Sequence, residues 1–453
     1  MKKEKLKKMF SKYRFYLLLT LAFPIFLNSF AQDGEPVIGK KRNKSISKDA
    51  FVIGRDMHHN KFIDQDNGLK GMAECNFTLA DCADPQNMKL CKKLGLGVIV
   101  SEGPHLTSSE WGKLTDEEID LYIKNMVDKA GKSKAILGYH ICDEPSARDF
   151  PAIAKAVAAV KKYAPGKLAA INLYPNYATL WQMDQIKSQL ATKSYTEYLE
   201  RFVNEVKPHY LCYDNYMVQF SMDLQNQEKA RSYFTNLLEV RRVAQKYNLP
   251  FWNVVSSNQI RSHTTIPSMD NMLLQAYTTL AAGGSGIRWY TYHGQSHVYG
   301  YNPIDKQERK TLTWYYLKEV NRQLSILGPV IKQLESTGVY FTSPAPADSL
   351  PMMPGNCVQK IDAEGPMMIG EFKSSDNLHY VMVVNLILEK SIKFNITTKI
   401  PNEKMWVVSP AENGYLVETD INEGYWLTAG AGVLIKLGGI VSDRDWTKPK
   451  PVY

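Results

Sequence analysis

Between residues 51 and 292, short apolar runs alternate with longer stretches of helical periodicity, and few folds accept that pattern. The runs fall at 51–54, 77–80, 97–101, 135–141, 168–173, 210–213, 251–255 and 286–292. The stretches between them include residues 149–163, where Phe150, Ile153, Val157 and Val160 recur at helical spacing, and residues 228–247, rich in helix formers. Helices between strands imply parallel pairing through right-handed crossovers. A doubly wound open sheet and a closed barrel both satisfy this. Eight runs, with Asp, Glu, His, Asn and Tyr just after nearly every one, favour an α/β fold of the (β/α)₈ TIM-barrel type, in which all strands end on one face.

After a last barrel helix at 312–334 the period changes. Short alternating runs follow at 338–342, 366–372, 379–386, 391–396, 404–408, 415–418 and 432–437. They are separated by turn clusters such as Ser374-Ser375-Asp376-Asn377 and Glu412-Asn413-Gly414. The expected organisation is a barrel over 50–335, an all-β sandwich over 336–441 that packs against it, and a loose tail over 442–453.

The N-terminus carries a different signal. Lys2, Lys3, Lys5, Lys7, Lys8, Lys12 and Arg14 precede an apolar run over 15–27, and small residues follow at Ser29 and Ala31. This is the pattern of a signal peptide over 1–31 cleaved before Gln32, with a polar lead-in over 32–49, so a periplasmic or secreted location is expected. Its removal takes the formal charge from +9 to about +3, so most of the basicity belongs to the signal. The cluster Lys40, Lys41, Arg42 and Lys44 reads as a solvated linker, and no nucleic-acid partner or membrane segment of the mature chain is expected. Of the six cysteines, Cys75, Cys82 and Cys91 are close enough to contain one bridge, while Cys142 and Cys212 read as small buried hydrophobes.

Chemistry points first to Leu137-Gly138-Tyr139-His140-Ile141-Cys142-Asp143-Glu144-Pro145, a strand ending in two carboxylates and a proline. At the rim of a fourth strand, among Tyr and His, Glu144 is placed to act as a proton donor. Asp143 either orients its neighbour, binds a substrate hydroxyl or caps the next helix. Asn172, Tyr174, Tyr216, Trp252, Asn253, Trp289, Tyr292 and His293 lie in or just after the fifth to eighth runs. Aromatic faces interleaved with amides suit a polyol, so these are the candidate carbohydrate-binding residues. His58, beside His59 and Asp56, reads as a hydrogen-bonder at the rim rather than the start of a metal site. No P-loop, dinucleotide fingerprint or G-x-S-x-G elbow occurs, and neither metal nor cofactor is called for.

Here the sequence resembles a family. The order of elements, the carboxylates at 143–144, the segment MLLQAYTTLAAGGSGIRWYTYHG at 272–294 and the β-rich end are similar to the large clan of (β/α)₈ glycoside hydrolases containing β-galactosidases and cellulases. The resemblance implies that Glu144 is the acid closing strand four. It also implies a nucleophilic Glu closing strand seven, yet Phe251-Trp252-Asn253-Val254-Val255-Ser256-Ser257-Asn258 contains no carboxylate. Glycosidic hydrolysis ordinarily uses two carboxylates. Asp214, after the sixth run, is the expected second one, with Glu102 and Asp81 behind it; Glu102 is also a candidate substrate contact. Two other readings stay open: a glycan-binding barrel that has lost its nucleophile, and a polysaccharide lyase using a Tyr or His base.

Overall fold

A computed structural model of the chain describes residues 50–55, 67–101, 106–183, 187–220, 228–294, 299–400, 404–414, 416–419 and 423–438. The signal peptide, the lead-in and the tail expected from the sequence lie outside the described residues, as do His58, His59 and Glu102.

Eight parallel strands form one sheet: β1 (Val52–Arg55), β2 (Leu79–Ala83), β3 (Gly97–Val100), β4 (Ile136–Asp143), β5 (Leu168–Asn172), β6 (Leu211–Asp214), β7 (Phe251–Ser256) and β8 (Gly286–Tyr290). The order β5-β4-β3-β2-β1-β8-β7-β6 leaves β5 and β6 at the two ends. A parallel bridge between Leu173 and Tyr213 joins them, with the Leu173 amide donating to the Cys212 carbonyl at 2.8 Å. The sheet is thus a barrel with a thin seam between β5 and β6. Val52, Leu79, Ile99, Leu137, Leu168 and Trp252 pack inside it, one row from successive strands.

The helix Phe150–Tyr163 buries Phe150, Ile153, Val157 and Val160, the stripe its periodicity predicts. The helix Met269–Ala281 has no polar face: every residue from Asn271 to Ala281 is buried. The second domain explains why. Its larger sheet, in the order β15-β14-β17-β12-β11-β9, contains β9 (Glu335–Phe341), β11 (Met367–Lys373), β12 (His379–Asn385), β14 (Met405–Val408), β15 (Leu416–Thr419) and β17 (Gly432–Leu437). One face of this sheet packs through Ile369, Val383 and Ile435 onto a smaller sheet of β10 (Val358–Ala363), β13 (Ile392–Thr398) and β16 (Tyr425–Leu427). The other sends Met368, Phe372, Met382 and Leu434 into the barrel's helical layer. At Gly370 a Cβ would run into the Ala281 carbonyl oxygen, so glycine is what lets sheet and helix approach so closely.

The expected eight barrel strands and seven β-domain strands are found within a few residues, whereas β10 and β16 were not anticipated. β10 alternates Val358 and Ile361 with exposed Gln359, Lys360 and Asp362, and β16 has three residues, so neither forms a conspicuous apolar run. The entry to β10 is pinned by the buried carboxylate of Glu371, which accepts from the amides of Asn356, Cys357 and Val358 at 2.8–3.0 Å. Cys75 and Cys91 are buried and not disulfide-bonded, so neither makes the bridge their spacing would allow, and Cys142 and Cys212 are buried in strands as expected.

Candidate active site

The carboxyl ends of β4, β5 and β6 assemble the acidic cluster. Register pairs Asp143 with Asn172 on the neighbouring strand, so both side chains leave the sheet on the same side. On β6, Tyr210 and Cys212 belong to the barrel interior, and alternation turns Asp214 inward after them. The Asn172 side-chain amide then does what no backbone group could. Its Nδ2 donates to Asp143 Oδ1 at 3.1 Å and to Asp214 Oδ1 at 3.0 Å, holding two carboxylates on one nitrogen across the barrel seam. Asp214 is only 4% exposed.

Glu144 follows β4 with φ of 45°, in the left-handed region that a non-glycine residue occupies at a cost of order 1 kcal/mol. Its amide donates to the Asn172 carbonyl at 2.8 Å, which anchors the turned backbone to β5. The loop after β5 brings Tyr174 and Tyr177 to the same place. Burial, then the negative charge of Glu144, then those of Asp143 and Asp214, push the Tyr174 phenol up to about 12. Burial likewise raises Tyr177, followed by the charges of Asp214 and Glu144. Tyr177 is nevertheless 41% exposed, so part of it meets solvent at the mouth. Three acids and two tyrosines therefore share one side of the barrel mouth. Behind them Asn215 is fully buried, donating to Asn236 at 2.9 Å and bracing the β6 loop on the helix Glu228–Lys246.

A second polar layer lies beneath this cluster. Arg288, from β8, pairs with Asp81 from β2 and donates through Nη1 to Cys212 Sγ at 3.3 Å. The Cys212 thiol in turn donates to Asn172 Oδ1 at 3.4 Å. Arg55, on β1, donates to the Asp81 carbonyl at 3.1 Å. Asp81, a minor candidate for the second carboxylate, is thus the partner of a buried guanidinium.

The remaining candidates divide sharply. Tyr216 stays at the mouth, half-buried over the barrel interior and 5.3 Å from Tyr290, centroid to centroid. His293 is half-buried on the β8 side; burial lowers its pKa, Arg55 adds to this, and Glu308 and Asp305 oppose it. Four expected substrate contacts are corrected. Trp252 lies within the barrel core, its ring 4.1 Å from that of Tyr210. Asn253 faces outward, donating to Thr279 Oγ1 at 2.9 Å. Trp289 also faces outward, donating to Asn321 at 2.8 Å, and the fully buried Tyr292 donates to the Asn67 carbonyl and accepts from Trp314. The residues missed were Tyr290 and Arg288, whose inward parity was available from the alternation around Trp289.

The end of β7 is a closed hydrogen-bonded turn. Ser256 Oγ donates to Asn258 Oδ1 at 2.9 Å, and Asn258 donates to Asn302 at 3.3 Å. Among the described residues, no group of three or more His, Cys, Asp or Glu side chains is arranged to hold a metal ion. Nor is any described helix long and apolar enough to cross a membrane.

No family model matches the sequence, and no curated protein does. Solved structures align loosely. A β-glucuronidase from Ruminococcus gnavus in complex with D-glucuronic acid matches at 9% identity and TM-score 0.42, over 60% of this chain and 49% of that one. The chain thus spans about half the length of the glucuronidase. A β-galactosidase from the psychrophilic Marinomonas ef1 matches at 8% identity and TM-score 0.47, over 64% and 63% of the two chains. A glucosidase from Croceicoccus marinus matches at 9% and 0.42, over 88% and 98%. Likeness at this level assigns no activity to this chain.

Proposed function

We infer that this protein is an exported glycoside hydrolase in which Glu144 protonates the leaving oxygen and Asp214 supplies the second carboxylate. The observation that carries the reading is the convergence of Glu144, Asp143 and Asp214 around Tyr174 and Tyr177 at one mouth of the barrel. A sugar seated there meets a carboxyl group able to give a proton to the glycosidic oxygen as the bond from the anomeric carbon breaks. The developing positive charge on the sugar ring is met by Asp214, either by direct attack or by taking a proton from an attacking water. The elements of water are added across the bond, and Glu144 regains its proton. Asp143 has a narrower part: sharing the Asn172 amide with Asp214, it fixes the neighbouring carboxylate and offers an acceptor to a sugar hydroxyl.

The lyase reading is weakened by the tyrosines. A general base must lose its proton readily near the working pH, whereas burial and the adjacent Glu144 hold the Tyr174 proton to about 12 and Tyr177 higher still. Both are phenol donors to an oxygen-rich ligand. The test is a panel of plant, algal and host glycans, assayed for reducing-sugar release and, by calorimetry, for binding. Release of reducing ends supports hydrolysis, binding without release supports the non-catalytic barrel, and an unsaturated product supports a lyase. Export is checked by N-terminal sequencing of the secreted chain, expected to begin at Gln32.

A further inference from the structure

From Arg288 through Cys212 and Asn172 to Asp143 and Asp214, a row of hydrogen bonds runs in one direction beneath the acidic cluster. A guanidinium can only donate, and an ionised carboxylate can only accept. Between those fixed ends lie Cys212 and Asn172, each of which both donates and accepts. Arg288 Nη1 donates to Cys212 Sγ at 3.3 Å, so the thiol proton is free to go to Asn172 Oδ1 at 3.4 Å. With its oxygen so engaged, Asn172 turns its Nδ2 to Asp143 and Asp214 at 3.1 and 3.0 Å. A reversed amide would set an oxygen against two carboxylate oxygens at those distances, and the thiol would face an NH₂ group while still accepting from Arg288.

We propose that Asn172 is the positioning residue of the acidic site, and that Cys212 and Arg288 hold its amide in the orientation that aims both N–H bonds at Asp143 and Asp214. Location strengthens the case. Among the described residues β5 and β6 meet through one bridge, between Leu173 and Tyr213, so little backbone pairing fixes Asp214 relative to Asp143. The Asn172 side chain supplies that tie, and Cys212, two residues before Asp214 on the same inward row, controls it from below. Asp81 balances the guanidinium from the far side of the barrel, so the row begins at a compensated charge. Aligned bonds of this kind polarise one another, and each link strengthens the next.

The proposal rests on the hydrolase reading for its importance to turnover but not for its geometry, and the experiment separates the two. In protein labelled with ¹⁵N-asparagine, with Asn172 assigned by its loss in Asn172→Asp, the side-chain NH₂ pair should exchange slowly with deuterated solvent. Cys212→Ala should speed that exchange about tenfold or more, and Cys212→Ser, which keeps a donor and an acceptor, should restore it. On any glycan the wild type hydrolyses, Cys212→Ala should lower kcat about tenfold with KM nearly unchanged, again with recovery in Cys212→Ser. Unaltered exchange in Cys212→Ala, or a Ser variant as defective as the Ala one, overturns the proposal. Should Cys212→Ala not fold, neutron diffraction of the wild type decides: two deuterons on the atom facing Asp143 and Asp214 support it, and a bare oxygen there refutes it. A wild type without hydrolysis would remove the hydrolase reading and leave the exchange result to judge the amide.

Discussion

On β4, β5 and β6 the polar residues that close each strand face the barrel axis, whereas on β7 and β8 Asn253 and Trp289 face the helices. Both arcs are rich in amides, aromatics and hydroxyls, and on composition they look equally suited to a sugar. They differ by one residue of parity. Asn172 and Asp214 fall on the inward row and meet across the seam, while Asn253 and Trp289 fall on the outward row and become the polar ties of a helical layer. Polar residues at a strand end therefore mark a site only after their face has been assigned.

That contrast can be broken from either side. Asp214→Asn keeps an oxygen for Asn172 to donate to but removes the charge, so the fold should survive. Hydrolysis should fall about 10²–10⁴-fold, read as kcat on the best substrate of the glycan panel. A variant that keeps most of its activity would move the second carboxylate elsewhere. Trp252→Ala should act in the opposite sense, costing about 3–5 kcal/mol of stability in denaturant melts, because it empties part of the barrel core beside Tyr210. The KM of the protein that remains folded should not change; a large rise would return Trp252 to the binding surface. Asn253→Ala removes one buried bond to Thr279 and should cost about 1 kcal/mol, with turnover intact.

The smallest effect concerns His293. Its folded-state pKa lies below the ordinary 6.5, so on acidification the unfolded chain takes up the proton first. Stability from this group is present above 6.5, is lost as the pH falls from there through the lowered folded value, and is constant below it. His293→Asn should flatten that part of the stability curve. An unchanged slope would mean that His293 titrates alike in both states.

The sequence made the barrel legible because each strand is a short apolar run between helical stretches, and the count and the spacing agreed with the structure. The acids at Asp143, Glu144 and Asp214 were legible for the same reason, since they directly follow strands. What could not be read was the link between them. Asn172 looked like one more polyol-binding amide, and only register across β4, β5 and β6 shows it holding two carboxylates. Arg288 was hidden inside an aromatic segment. Its partner Asp81 lies 207 residues away in sequence, and barrel closure alone brings the two together. The absence of an acid at the end of β7 was plain from the start, and the hydrogen-bonded turn of Ser256 and Asn258 now occupies that position.

The most direct test of the account compares Glu144→Gln with the wild type on two substrates: the best natural glycan, and an activated aryl glycoside of the same sugar whose leaving group departs without a proton. If Glu144 is the acid, the variant should lose about 10²–10⁴-fold on the glycan and far less on the aryl glycoside. Equal losses on both would contradict proton donation by Glu144, and a variant as active as the wild type on the glycan would end the account.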